Sequence, residues 1–193
     1  MKEGKVVALT GGIGAGKSVV SHVLRAMGFP VYDCDSEARR LMDSSPAMLA
    51  RIAAEVAPSA ITPDGRLDRA RLAEIVFADP SALRKLNSIV HGAVRDHLAA
   101  RIAESQAPIF FVETAILYES GIDRIVDAVW EVTAPAGERI DRVMARSGLT
   151  RSQVESRMAV QRVASAPTHR IIRNSSSDAI LPQILHELRQ LSA

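Results

Sequence analysis

The chain has 193 residues, 47% hydrophobic and 24% charged, with a net charge of +2. This is ordinary for a soluble globular protein with one sizeable core and small appended subdomains. Aromatics at 4% argue against a base-stacking nucleic-acid platform, and Cys34 as the only cysteine rules out an intrachain disulfide and suits a reducing cytoplasm. No apolar run is long enough to span a bilayer, and the N-terminus runs straight into an apolar strand without a signal-peptide pattern. The expectation is a cytoplasmic protein, monomeric or weakly self-associating, with no membrane and no nucleic-acid partner.

The first element in chain order is also the most informative. Lys5 to Val20 reads KVVALTGGIGAGKSVV. Val6 to Leu9 form a short apolar run, the mark of a strand buried on both faces. Gly11, Gly12, Gly14 and Gly16 follow, ending in Lys17 and Ser18, and an apolar-periodic segment opens at Val19. Gly11-x-x-x-x-Gly16-Lys17-Ser18 fits the phosphate-binding loop, with a strand before it and a helix after. Glycines let successive N–H groups wrap an anion, and the helix adds its own free N–H groups and positive dipole end. Lys17 is placed to reach the β- and γ-phosphates and the Ser18 hydroxyl to hold Mg²⁺. The competing interpretation is a glycine-rich turn whose Lys17 is merely solvated. The match of every position and both flanks favours a nucleoside triphosphate site.

Ser21 to Met27 then reads as helix, stopped by Gly28. Phe29 to Tyr32 is a second short strand, ending at Asp33-Cys34-Asp35, with a helix over Ser36 to Met42. In a parallel α/β sheet the ligand crevice lies at the carboxyl ends of the strands. Asp33 and Asp35 beside a triphosphate therefore point to Mg²⁺ handling and deprotonation of an acceptor hydroxyl. The alternative is that Asp35 or Ser36 simply caps the next helix. From Leu41 to about Ser105 the pattern is almost wholly helical, punctuated at Pro46, Pro58, Pro63-Asp64-Gly65 and Asp79-Pro80. Leu67, Leu72, Ile75 and Val76 give one apolar face; Leu83, Leu86, Ile89 and Val90 give another. The insertion is too large for a simple crossover, which points to an acceptor-binding subdomain. His91 and Arg95 fall four apart, on one helix face, and spacing alone leaves them a solvated or structural pair.

Ile109 to Val112 is a strand closed by Glu113, an acid placed to act on Mg²⁺ directly or through water. Ala115 to Gly121 reads as a short helix and Val126 to Val132 as a further strand. Glu138 to Ser147 is helix with Gly148 as its stop, and Arg139, Arg142 and Arg146 share a face at i, i+3 and i+7. Thr150 to Met158 follows, with Thr150 as cap and Gln153 three further on. A basic stripe on two helices is what a mobile lid over transferring phosphates needs; it is equally a solvated face paired with Glu138, Asp141 and Glu155. Ile171-Ile172 is a last strand, Asn174 to Ser177 a turn, and Ile180 to Leu191 a closing amphipathic helix.

Over nearly its whole length the chain resembles the dephospho-coenzyme A kinase family. The resemblance rests on ALTGGIGAGKS, Asp33-Cys34-Asp35 with Ala38-Arg39, His91…Val94-Arg95, the Ile116-Leu117-Tyr118-Glu119 run, Arg142-Val143-Met144-Ala145-Arg146, and Asn174. It implies a three-layer α/β P-loop kinase fold. That fold has a five-stranded parallel sheet with helices on both faces, a helical acceptor-binding subdomain over 36–106 and a helical lid over 138–166. The core would comprise 1–35, 107–137 and 167–193, all one kinase domain over 1–193. It implies ATP as phosphoryl donor with Mg²⁺, and dephospho-coenzyme A as acceptor. ATP would be held by Gly12, Ile13, Gly14, Ala15, Gly16, Lys17, Ser18, Val19 and Asn174. Asp35 would be the base on the ribose 3′-hydroxyl, assisted by Asp33, with Lys17, Arg142 and Arg146 on the phosphates. His91, Arg95, Asp33, Leu117 and Glu119 would meet the acceptor, and Ser18, Glu113 and Asp35 the metal.

Several positions depart from the family pattern: Gly92 stands where proline is usual, Glu113 and Ala115 where aspartate and proline are, and Arg139 where glutamine is common. The stretch from Gln161 to Asn174 is short, with Pro167 and Thr168-His169 in place of a basic residue and an Ala-Asp pair. The alternatives are another small-molecule P-loop kinase acting on a nucleoside monophosphate or sugar, and a nucleotide switch. The latter lacks its guanine-reading Asn-Lys-x-Asp run here.

Overall fold

The structure, a computed structural model, describes residues 4–160 and 169–192. Residues 161–166 of the expected lid, and the substituted Pro167-Thr168 pair, lie outside the described residues. Among the described residues the strands are β1 (Lys5–Thr10), β2 (Val31–Asp33), β3 (Ile109–Glu113), β4 (Ala128–Thr133) and β5 (His169–Arg173). They form one five-stranded parallel sheet in the order β2-β3-β1-β4-β5. Val7, Ala8 and Leu9 on β1 are fully buried, so the apolar run does not alternate and both faces of the central strand are covered. Phe111 and Trp130 flank it from β3 and β4, their rings 5.2 Å apart and tilted, with Phe29 edge-on to Phe111 at 5.5 Å. Ile172 on β5 and Leu24, Ile184 and Leu188 from helices α1 (Lys17–Ala26) and α8 (Ile180–Ser192) complete this core. Each fully buried side chain of this kind contributes about 1.5–3 kcal/mol.

The chain order reverses about β1: β2 and β3 lie to one side, β4 and β5 to the other. Such a reversal opens a crevice beyond the carboxyl ends of the strands, where the β1 loop emerges.

The chain divides into two compact units, Met1–Tyr32 with Ser105–Ala193, and Asp33–Glu104. The second contains α2 (Cys34–Ser44), α3 (Pro46–Glu55), α4 (Arg69–Ala78) and α5 (Pro80–Glu104). Side-chain caps start its helices. Asp33 accepts from the Asp35 and Ser36 N–H groups, Ser45 from Met48 and Asp68 from Arg71, and Pro46 occupies the first turn of α3. Both predicted apolar faces are committed to its core: Leu72, Val76 and Ile89 are buried, and Leu67, Ile75, Leu83, Leu86 and Val90 pack against them.

Three local expectations need correction. The α2 helix begins two residues before the predicted Ser36 because Asp33, rather than Asp35 or Ser36, is its cap. Ala115 to Gly121 does not extend as a helix. After one turn, Ile122 N–H bonds the Leu117 carbonyl and Gly121 N–H the Tyr118 carbonyl, a Schellman closure with Gly121 at φ +72°. The strand predicted from Val126 starts at Ala128, since the Asp127 carboxylate accepts from Val6 N–H at 2.7 Å just ahead of the ladder. Downstream, α6 (Ala136–Ser147) ends at Gly148 with φ +67°. The next helix, α7 (Arg151–Val160), opens with the predicted capping box: Gln153 Oε1 accepts from Thr150 N–H at 2.9 Å.

Candidate active site

The loop between β1 and α1 takes a shape only glycine permits at two places that decide it. Gly11 has φ +145° and a Cβ there would strike the Val132 carbonyl on β4; Gly14 has φ +76° and a Cβ would strike the Arg139 carbonyl. The loop therefore fits tightly against two neighbouring backbones.

Its carbonyls are almost all engaged. Lys17 Nζ donates to Gly11 O at 2.8 Å, and Ala15 N–H to Gly12 O. Arg139 Nε donates to Ile13 O at 2.9 Å, Asn174 Nδ2 to Ala15 O at 2.8 Å, and Val19 N–H to Gly16 O at 3.0 Å. The N–H groups of Gly14, Gly16 and Ser18 take no acceptor among the described residues. A loop with bound carbonyls and free N–H groups, opening the positive end of α1, is an anion cradle.

Residues after β5 and on α6 brace it. Asn174 is buried; its N–H bonds Thr133 O and its carbonyl accepts from Arg142 Nη2 at 2.8 Å. Arg142 is paired with Glu138 at 2.9 Å, and Glu138 also accepts from Ser176 N–H at 3.0 Å. The Nη1 nitrogen of Arg142 is buried without a partner, an unmet donor that an anion would satisfy. Arg146 is exposed, and Arg139 is half-buried, so burial lowers its guanidinium pKa while Glu131 raises it. Of the expected paired face, Arg142–Glu138 forms, while Asp141 and Glu155 go to Arg151. Of the three stripe arginines, the expected pairing is therefore found at Arg142 among the described residues.

Glu113 ends β3 directly beside Leu9 of β1, where Thr114 N–H bonds Leu9 O. Glu113 is therefore at the carboxyl end of the sheet, from which the loop starts. Leu117 is buried, and its carbonyl accepts from Ser120 Oγ and Ile122 N–H; Glu119 is exposed. Tyr118 is partly buried, which raises its phenol pKa, with Asp123 and Glu131 adding to the effect.

In the helical unit the two aspartates separate. Asp33 Oδ1 accepts from Asp35 and Ser36 N–H, and Oδ2 from Ser36 Oγ at 2.7 Å, so its carboxylate is used as a cap. Asp35 is exposed in the first turn of α2, with no partner for its carboxylate among the described residues. His91 and Arg95 are half-buried on α5, one turn apart. The sequence pointed to Glu138 as a partner of the arginine face, but not to its second bond to Ser176 N–H, nor to the Asn174 bond to the loop. The Glu138–Arg142 spacing of four was the only local signal.

These features define a class, a P-loop kinase: a parallel α/β sheet presenting a phosphate-binding loop at the carboxyl end of its central strand. The family model described as dephospho-CoA kinase matches residues 5–179. The dephospho-CoA kinase of Anaeromyxobacter dehalogenans is 42% identical over 160 residues, 81% of this chain and 76% of the relative. That of Moorella thermoacetica is 37% identical over 172 residues, 87% of this chain and 81% of the relative. A crystal structure from Thermus thermophilus matches with a TM-score of 0.77 at 35% identity, covering 99% of this chain and 97% of that one. The dephospho-CoA kinase of Campylobacter jejuni shares the fold, with a TM-score of 0.67 at 23% identity and coverage of 97% and 96%. The chain belongs to the dephospho-CoA kinase family and is an ATP-dependent kinase.

Proposed function

We propose that the enzyme transfers the γ-phosphoryl group of ATP to the ribose 3′-hydroxyl of dephospho-coenzyme A, giving coenzyme A and ADP. The observation that carries this reading is the loop whose carbonyls are tied back while the N–H groups of Gly14, Gly16 and Ser18 take no acceptor among the described residues, in a chain of this family. In the reaction a bond forms between the acceptor oxygen and the γ-phosphorus, while the bond to the β,γ-bridging oxygen breaks in line with it. ADP leaves with that bridging oxygen's electrons. The acceptor proton goes to the Asp35 carboxylate, which the cap leaves uncommitted, while Asp33 holds the first turn of α2 so that Asp35 is presented.

Lys17, Arg142 and Arg146 offset the charge on the transferring phosphoryl oxygens, and Gly12 to Val19 hold the triphosphate. Asn174 acts through the loop, by fixing the Ala15 carbonyl. Among the described residues no group of three or more His, Cys, Asp or Glu is clustered to bind a metal. That suits Mg²⁺, which keeps its waters and takes most protein-side ligands from phosphate. Ser18 Oγ, Glu113 (directly or through water) and Asp35 would hold it, and when bound it neutralises phosphate charge. His91, Arg95 and Glu119 contact the acceptor, for which the 36–106 helices are the binding subdomain, and the 138–166 helices serve as lid. No helix among the described residues is long and apolar enough to cross a membrane; the enzyme works in the cytoplasm, where Cys34 stays reduced.

The test is to incubate the protein with Mg²⁺–ATP and dephospho-coenzyme A and detect coenzyme A by mass. Phosphorylation of a nucleoside monophosphate or sugar in its place, with no coenzyme A formed, overturns the reading.

A further inference from the structure

The three arginines of α6 are not equivalent. Arg142 has Glu138 as counter-ion and the Asn174 carbonyl as second acceptor, and Arg146 is exposed. Arg139 reaches the loop at two points: its Nε donates to Ile13 O at 2.9 Å, and its Nη2 lies where a Cβ on Gly12 would fall. The remaining guanidinium N–H groups have no acceptor among the described residues, and no carboxylate there lies within ion-pair distance of them. Among the described residues the acid whose charge acts on Arg139 is Glu131 of β4, and the half-buried position makes the guanidinium charge costly to keep. A partly desolvated cation without its own ion pair is unfavourable until an anion joins it. Here it sits over Gly12, in a cradle whose free N–H groups already select an anion.

We propose that Arg139 is a phosphate-binding residue of this site, its uncommitted guanidinium N–H groups donating to the anion held in the Gly11–Gly16 loop. This rests on the loop being the triphosphate site. The planar fork of arginine gives paired donors to phosphate oxygens, while Nε keeps the Ile13 carbonyl turned away from the anion.

Glutamine at 139 separates the two roles, because its amide can still donate to Ile13 O but carries no charge. Titration calorimetry with inorganic tripolyphosphate and with ATP, on the wild-type chain, Arg139→Gln and Arg139→Lys, reads the difference. Arg139→Gln is expected to lose affinity for both ligands by about tenfold, and its binding should weaken less steeply with added salt than the wild type's. Arg139→Lys, which keeps the charge without the fork, should fall between the two. Wild-type affinity and salt dependence in Arg139→Gln would overturn the inference and leave Arg139 a brace for the loop. If Arg139→Gln does not fold, an Arg139→Lys affinity equal to wild type overturns it too. Failure of the wild type itself to bind ATP or tripolyphosphate would instead sink the reading of the loop.

Discussion

Replacing Asn174 by alanine tests whether the loop is held from outside. Asn174 is 8% exposed and its Nδ2 is 2.8 Å from the carbonyl of Ala15, itself 1% exposed. The substitution removes the donor and leaves a buried carbonyl without a partner, which costs about 1–3 kcal/mol. In a chain of this size each kcal/mol moves Tm by roughly 2–4 °C. A loss near the middle of that range corresponds to a Tm lower by about 4–8 °C. With Ala15 O released, the peptide units of the loop can rotate and the N–H cradle loosens, so the KM for ATP should rise as Tm falls. Asn174→Asp sharpens the test: it has the same shape but places an acceptor against an acceptor, so it should melt below Asn174→Ala. Thermal unfolding followed by circular dichroism, with and without ATP, together with steady-state kinetics, measures both effects. An Asn174→Ala variant that melts within a degree of wild type at unchanged KM would refute the bracing role. So would an Asp variant at least as stable as the alanine one.

Asp35→Asn should abolish phosphoryl transfer while ATP binding by calorimetry survives, since the loop that holds the triphosphate is untouched; wild-type turnover would remove Asp35 from the mechanism. Asp33→Ala should instead act through α2, lowering stability by about 1 kcal/mol through loss of the cap, with partial activity retained; a Tm equal to wild type would contradict the cap. Tyr118 has its pKa raised, first by burial and then by Asp123 and Glu131, so the folded protein holds that phenol proton above the usual range near 10. Its contribution to stability is fully present below pH about 10 and is lost as pH rises through the raised value. Ultraviolet titration of tyrosinate should therefore lose a late alkaline step in Tyr118→Phe, and loss of a step at the ordinary pH in that variant instead would count against the assignment.

What the sequence made legible is what short-range geometry compels. The phosphate loop could be read because its turn demands glycine where the chain must approach Val132 and Arg139, and because Lys17 and Ser18 follow at fixed spacing. The Thr150–Gln153 capping box and the Gly148 stop were equally local. The same range explains the misreadings. Asp33 both ends β2 and caps α2, with no connecting residue to mark the join. The apolar run after Glu113 has a helical pattern, yet Gly121 closes it after one turn. The bonds that finish the site span far greater separations: Asn174 to Ala15 across 159 positions and Arg139 to Ile13 across 126. No spacing rule could pair them. A glycine-rich loop alone is flexible and could turn carbonyls or N–H groups towards a ligand. Binding its Ile13 and Ala15 carbonyls to groups from α6 and from the turn after β5 leaves the N–H groups to face the anion. The sign of the charge this loop accepts is therefore set by tertiary structure, and the glycines only make that setting possible.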